Sequence, residues 1–513
     1  MARKDLFRRW QRAACETEDR LSELPDDLLL LILRRLDSRT AHGTAALSRR
    51  WTHLPRELTV LDLRVADRLP ERYPQCHLLL REAWKSPRLL HHAGKLTDIA
   101  IRYQRRATRS MVASVRSLLL AGSRRGVDRL SLEFFSDITS ACVVNSLVVE
   151  ALDSWGVKDL VVVATPTEHI MHPHPPVYSF SQGCISKKPG ESCLQSLKLA
   201  NCLPPPLEGF AALTVLVVQD LPKSTPDTVY QRVIAACPQL QILHIISCLY
   251  KSRAFSLILN APMSQIRELL VDSPFMVVEL RSLPKLRSLA VLHASLLSTS
   301  GAFPCLEHAS YVFSVQRPEG SFYYHLKLEN ITTILMLFFE AAVSMTDLAL
   351  RLAGPGMWIA LKNPVCTMAN VRRLLLADVP SCWDVVSGSG PHLLIDAAPL
   401  LESIHVHIPK PEVEPDQEIP WLQPSTARRH RHLKELVVVG FQRTERHLHL
   451  VRYAVEVSTA LSRVALFKRG HVKEKGPCGW EMVTLQSKWS NEEKLAVLDR
   501  ICCPTAQAEV VLG

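Results

Sequence analysis

The stretch LQSLKL (194–199) and its companions LTVLVV (213–218), LQILHI (240–245) and IRELLV (266–271) share one order of residues: apolar, two variable, apolar, one variable, apolar. The order occurs upstream as VDRLSL (127–132) and VKDLVV (157–162). Downstream it returns as LRSLAV (286–291), LEHASY (306–311), MTDLAL (345–350), VRRLLL (371–376), LESIHV (401–406), LKELVV (433–438) and LSRVAL (461–466). Copies follow one another at steps of about 19 to 39 residues, which suits one supersecondary unit per copy. The last two apolar positions are spaced i, i+2, so on a strand both side chains leave on one face. The apolar residue three places earlier packs as the chain turns in. An ordinary α/β sheet has no reason to keep three apolar positions in register through all these copies.

The pattern resembles the core of a degenerate leucine-rich repeat, one strand plus a return segment per unit. A single unit cannot bury its apolar face alone, so neighbours stack and share a continuous core. The fold class expected is therefore α/β, an irregular leucine-rich-repeat solenoid over 127–431. Its return segments vary from turns to helices, with helices expected at 228–236 and 329–344. Side chains alternate along a strand, so the variable residues face outward. That row contains Lys198, Gln219, His244, Asp272, His308, Arg351, Arg373, His405 and His407, the candidate substrate surface. For any one of them taken singly, ordinary solvated surface is the competing reading.

The chain has 513 residues, 47% of them apolar and 22% charged, a composition that supports a large core. Leucine occurs 78 times, which the repeats explain. No apolar run approaches the ~18 residues of a membrane span, so a soluble protein with no membrane partner is expected. The first twenty residues lack an apolar segment before a small-residue cleavage site, so no secretory signal is expected and the sequon at 330–332 carries no weight. The fourteen cysteines then belong to a reducing compartment, cytoplasm and/or nucleus, and read as packing. The net charge of +11 is concentrated at one end: residues 1–130 carry 27 basic and 15 acidic side chains. Arg102, Arg105, Arg106, Arg109, Arg116, Arg124 and Arg125 form the densest group. Phosphate contact is one reading, and the solvated face of an amphipathic helix over 111–120 is the other. No aromatic platform accompanies these arginines, which favours the helix face and leaves nucleic acid an unfavoured partner.

Residues 21–55 read LSELPDDLLLLILRRLDSRTAHGTAALSRRWTHLP. Pro25 suits a first helical position, and Asp26 and Asp27 suit the positive end of a helix. Leu28, Leu29, Ile32 and Leu36 recur at helical spacing, Leu31 and Leu33 widen the apolar cover, and Arg34 and Arg35 are placed in the last turn. A second helix is expected over 40–47, with Gly43 costing it about 1 kcal/mol against alanine. So short and apolar a helix must be covered by the rest of the chain or by a partner. The LP-D-DLL-x-x-IL-x-x-L start and the LSRRW-x-x-L close are similar to an F-box, a kind of motif found in large numbers in plants. Asp37 stands where that family often has proline. The resemblance implies a three-helix module that docks on a Skp-type adaptor and through it a cullin. Leu24, Pro25, Leu28, Leu29, Ile32, Leu36, Leu47 and Trp51 would form or support the docking face. A capping helix on the solenoid is the alternative. At the other end, 432–467 and 489–512 resemble the FBD segment that closes many plant F-box proteins, with Ser490 and Glu493 spaced as a capping box.

These readings divide the chain into a basic tail (1–20), the F-box (21–65), a helical linker (66–126), the solenoid (127–431) and the FBD-like end (432–513). No GxxxxGK[ST], HExxH or GxSxG is present, so no catalytic residue, cofactor or metal is assigned. His169, His172, His174, Cys184 and Cys193 have the ligand types of a zinc site but not a usual spacing, and read better as a loop. Residues 410–420 read as an acidic, proline-rich insertion. The function expected is that of a non-catalytic substrate-recognition subunit of an SCF-type ubiquitin ligase, binding an unknown protein target through the repeats. The alternative is a ligase-independent scaffold or regulatory binder whose basic segment contacts nucleic acid.

Overall fold

The computed structural model describes residues 24–46, 50–85, 90–120, 126–166, 177–180, 185–248, 256–273, 276–299, 303–314, 336–353, 368–380, 390–409, 429–476, 478–501 and 508–513. The chain divides into two compact units, Met1–Pro206 and Leu207–Gly513. Each is built on parallel strands that pair in chain order. In the first unit these are Val60–Arg64, Arg129–Phe135, Asp159–Thr165 and Ser196–Ala200. In the second they run from Val215–Gln219 through Ile242–Ile246, Glu268–Asp272, Ser288–Leu292, His308–Ser314, Asp347–Ala353, Arg373–Ala377, Ser403–His407, Glu435–Val439 and Arg463–Phe467 to Glu509–Leu512.

Each six-residue motif contains the start of one of these strands. Its three apolar positions are buried in every copy except at Tyr311, which is half-buried. The strand Val60–Arg64 belongs to the same series, because Leu58, Leu61 and Leu63 stand at the motif's apolar positions and are buried. The motif thus also occurs before residue 127, at the end of the segment 21–65 expected for the N-terminal module.

Two backbone devices recur along the chain and make successive units alike. Just before most of these strands, one carbonyl accepts two amides of the next unit: Gln241 O takes Arg267 and Glu268 at 2.8 and 3.0 Å, and Arg267 O takes Arg287 and Ser288 at 2.8 and 2.9 Å. After six of these strands, the residue four beyond the first apolar strand position turns left-handed. Asn201, Asp220, Ser247, His293 and Asp378 have φ between 49° and 56°, and Gly440 has φ 83°. Short polar residues tolerate this conformation best. At Gly440 a β-carbon would lie 1.8 Å from the Ile408 carbonyl oxygen, so only glycine fits.

The return segments vary. Asp227–Ala236 is helical, as expected for 228–236; of the helix expected at 329–344, residues 336–341 are helical and 342–344 are not, the rest lying outside the described residues. Between them the returns form a second parallel sheet of Ser256–Asn260, Val277–Ser282 and Ser295–Thr299. In the first unit the helix Leu90–Leu120 is much longer than the 111–120 expected. Ala93, Ala100, Ala107, Met111, Val115 and Leu118 line its buried face, at spacings of seven and then three or four. Small alanines give little hydrophobic signal, which is why the sequence showed only its last turns. Arg102, Arg105, Arg106, Arg109 and Arg116 lie exposed on the other side, while Arg124 and Arg125 fall outside the described residues. Among the described residues no helix is long and apolar enough to cross a membrane.

Candidate functional site

The helix Asp26–Leu33 starts one residue later than expected, with Pro25 as its extended N-cap and Asp26 and Asp27 in the first turn. It also ends early. Leu33 is the last helical residue, so Arg34 and Arg35 lie in the turn that follows rather than in the last helical turn. Asp37 explains its own presence: its Oδ1 accepts the Thr40 amide at 2.9 Å and opens the helix Ser38–Gly43. That helix tightens to 3-10 geometry at Thr44–Ala46, just after the glycine. Further 3-10 turns at Arg50–Thr52 and Leu54–Glu57 complete the described module, where a third helix was expected. Pro55, at the start of the last turn, has no amide to donate to a preceding turn.

Apolar residues all round a helix must divide between two destinations, and here they do. Leu29 and Leu33 are buried with Ala41, Trp51, Leu54 and Leu58, against which Leu24 and Leu30 pack. Leu28, Leu31, Ile32 and Leu36 instead form an exposed row, 36 to 53% accessible, with exposed Pro25 at its start. Leu47 lies outside the described residues. Arg50 clamps the entrance of the module: Nε and Nη2 donate to Asp26 Oδ1 at 2.9 and 2.8 Å, and Nη2 also donates to the Leu24 carbonyl. The Arg50 guanidinium holds the Asp26 carboxyl below the usual carboxylate range. Four large apolar side chains facing water, three on one short helix and Leu36 in the turn after it, have the chemistry of a docking face, each offering about 1 kcal/mol or more on being covered.

The outward face of the second unit is arranged differently. The parallel register sets equivalent positions of successive strands side by side, about 4.8 Å apart, so charges of alternating sign pair across strands. His308, Asp347 and Arg373 are register partners in turn, and Asp347 takes both neighbours: His308 Nδ1 at 3.2 Å and Arg373 Nε. Burial acts to raise the Asp347 carboxyl, and the hydrogen bonds from Arg373 and Thr346 outweigh it, leaving it below the usual range. Asp378 likewise takes Arg351 at 2.6 Å and His407 at 3.0 Å. Glu435 takes His405 at 3.2 Å and Arg463 at 2.9 Å. Asp272 meets His293 at 2.8 Å, Gln219 donates to Asp220 at 3.0 Å, and His244 meets Glu268 at 2.7 Å. Lys198, in the first unit, is half-buried. The candidate surface residues of the second unit thus already have polar partners within the chain.

Much of that face is also covered. The strands Arg469–Glu474 and Trp480–Leu485 form an antiparallel hairpin. Its Met482 packs with the outward side chains Val437, Val439, Ala465 and Phe467. Gly470 comes so close that a β-carbon would lie 2.4 Å from Val439 Cγ1 and from the Val483 carbonyl oxygen. Between the two hairpin strands, the Cys478 carbonyl accepts from Ser310 Oγ at 2.6 Å. The Cys478 thiol is pushed up to about 12 by burial and by the Glu268 carboxylate, against a hydrogen bond to Ser288. Leu270, Ala290, Ser310, Val437 and Ala465, all outward by alternation, are buried. The signal for this cover was in the sequence: ELVVV (435–439) and RVALF (463–467) are apolar at consecutive positions, which marks strands buried on both faces.

The C-terminal elements close the unit. Ser490 and Glu493 exchange the two hydrogen bonds of a capping box, at 2.8 and 3.1 Å, and start the helix Asn491–Ile501. Lys468 binds the same Glu493 carboxylate at 2.9 Å and lies 4.4 Å from the centroid of the Trp489 ring. On the helix Glu445–Val457, His447 is held down to about 4 by burial and by Arg446, and His449 is lowered by burial. His392, beside His449 at a ring-centroid distance of 5.5 Å, is held down to about 4 by burial and that neighbour. These histidines had no signal in the sequence beyond their number.

His169, His172, His174 and Cys184 lie outside the described residues, as do residues 410–420, and Cys193 is exposed. Of the other described cysteines, Cys76, Cys202, Cys237 and Cys248 are buried, and burial pushes the Cys202 thiol up to about 12.

A short helical module with a buried inner face and an open apolar row is the form of a protein-docking adaptor. Residues 21–59 match the family model of the F-box domain, and the chain carries that domain there. F-box domains generally bind Skp-type adaptors in SCF complexes, and F-box proteins are typically non-catalytic, which supports a substrate-adaptor role in such a ligase. No curated protein matches the chain.

Proposed function

We propose that this chain is the substrate-recognition subunit of an SCF-type ubiquitin ligase, joined through a Skp-type adaptor to a cullin, with the strand repeats acting as a leucine-rich-repeat solenoid that holds a protein target. The carrying observation is the exposed row Leu28, Leu31, Ile32 and Leu36 inside the segment that matches an F-box. Pro25 extends that row, while Leu24, Leu29 and Trp51 support it from beneath. The mechanism is positional. Tethering a target near a charged ubiquitin carrier raises the local concentration of its lysines, and this chain then needs no catalytic group of its own.

Support for the repeat reading comes from the recurring carbonyl step and the left-handed residue after the strands, which make successive units alike. The FBD-like end is read as the cap of that array. Target contact is assigned to outward residues the hairpin leaves accessible, Arg351, Arg373 and His405 among them, and to Lys198 and its neighbours in the first unit. The test is binding of the full chain to a purified Skp-type adaptor. Leu28→Asp with Ile32→Asp is expected to weaken it at least 100-fold, while circular dichroism stays unchanged. Undiminished binding by that folded variant overturns the reading.

A further inference from the structure

Where the hairpin turn meets the sheet, three side chains from three separate segments converge. His244 belongs to Ile242–Ile246, Glu268 to the adjacent Glu268–Asp272, and Cys478 to the turn of the hairpin. One ligand atom from each, the imidazole nitrogen, a carboxylate oxygen and the thiol sulfur, lies within 4.8 Å of the others. No other group of three such side chains meets this closely among the described residues. We propose that His244, Glu268 and Cys478 bind one divalent ion of borderline softness, zinc by ligand chemistry, and that this ion pins the hairpin 469–485 onto the outward face of the sheet.

The argument rests on geometry and ligand type. The other described histidines of this face that meet carboxylates, His293, His308, His405 and His407, gather no third metal-ligating atom around them. Among the described residues, only here does a sulfur complete a third corner. Calcium and magnesium favour all-oxygen shells, whereas zinc accepts nitrogen, sulfur and oxygen together. Zinc ligands sit at about 2.0–2.3 Å from the metal, which places them roughly 3.3–3.8 Å apart in a tetrahedron. His244 Nε2 and Glu268 Oε1, now 2.7 Å apart, must open by roughly 0.6 Å, and the sulfur, within 4.8 Å of both, must settle at about 3.5 Å from each. Rotations about side-chain bonds supply both movements. The backbone is already fixed, because the parallel register sets the two strands and Ser310 holds the Cys478 carbonyl at 2.6 Å. On binding, the thiol proton leaves to solvent and the thiolate bonds to the metal, leaving the fourth position for water.

The site is independent of the adaptor role, and its test does not require a partner. The full chain is equilibrated with zinc, passed through a desalting column and assayed for metal, with Cys305→Ser as the control for an exposed thiol elsewhere. The wild type and the control are expected to keep one zinc more than Cys478→Ser and His244→Gln, each variant checked for fold by circular dichroism. With cobalt in place of zinc, a near-ultraviolet thiolate-to-cobalt absorption is expected in the wild type and absent in Cys478→Ser. Equal metal in the wild type and Cys478→Ser, or no cobalt–thiolate band, overturns the site. Amide exchange across 469–485 is expected to slow at least tenfold with zinc. Stoichiometric zinc without that slowing overturns the pinning.

Discussion

The helix Asp26–Leu33 and the outward sheet face of the second unit meet water in opposite ways. The helix keeps Leu28, Leu31 and Ile32 exposed, with Leu36 just beyond it, although its inner face is well packed. The sheet face sets its charged side chains in cross-strand pairs and hides much of the rest beneath the chain's own hairpin. An uncovered apolar row costs free energy until something binds it, and that cost becomes affinity. A face whose polar groups are already satisfied contributes little until a ligand replaces those partners with better ones. The contrast teaches where a strong, generic attachment lies and where a selective one must be built.

The largest effect expected separates the two sides of that helix. Leu29→Ala removes a buried side chain and should cost the module about 2–5 kcal/mol, read as a lower urea midpoint. Leu28→Ala, one residue away, should change stability by less than about 0.5 kcal/mol and act on adaptor binding alone. Equal stability losses at both positions would break the contrast.

Next in size is the hairpin cover. Met482→Asp places a carboxylate against Val437, Val439, Ala465 and Phe467, and should cost about 1–3 kcal/mol. Faster proteolysis confined to 469–485 would show the hairpin as a removable cover. Global unfolding would show it to be part of the core.

Acid should act on the second unit through its buried histidines. His392 and His447 are held down to about 4, below their ordinary value of 6.5. Above about pH 6.5 neither is charged in the folded or the unfolded chain, so neither affects stability. As the pH falls from there towards 4, the unfolded chain takes up protons first, and stability drops by about 1.4 kcal/mol per pH unit for each histidine. Thermal melts at pH 7 and pH 5 should show this loss, and His392→Phe should reduce the slope. A melting temperature unchanged over that range would contradict the burial.

The smallest effect belongs to the paired surface charges. Arg351→Gln or Arg373→Gln should each change stability by no more than about 1 kcal/mol, because partly exposed pairs are screened by water and salt. A larger loss in chemical denaturation would mean that the pairs form a coupled network.

Much of this protein was legible in its sequence for one reason: periodicity is local. The three apolar positions per copy required no knowledge of contacts, and each of those motifs holds the start of a parallel strand. Composition around LPDDLLLLIL was enough to expect a docking helix, and Ser490 with Glu493 was enough to expect a cap. What alternation alone could not supply was the fate of the outward side chains. Lys198, His244, Arg351 and His405 look equivalent along the chain. Only the parallel register brings Glu268 to His244, Asp378 to Arg351 and Glu435 to His405.

The sequence by itself therefore determined the repeating strand, its buried face and the apolar N-terminal helix, because these depend on residues three or four places apart. The tertiary structure alone decided which half of that helix is buried, which charges are already paired, and that a hairpin from the end of the chain lies over the sheet. Those outcomes depend on side chains brought together from distant positions, as Cys478 is beside His244 and Glu268. No local pattern encodes such a meeting.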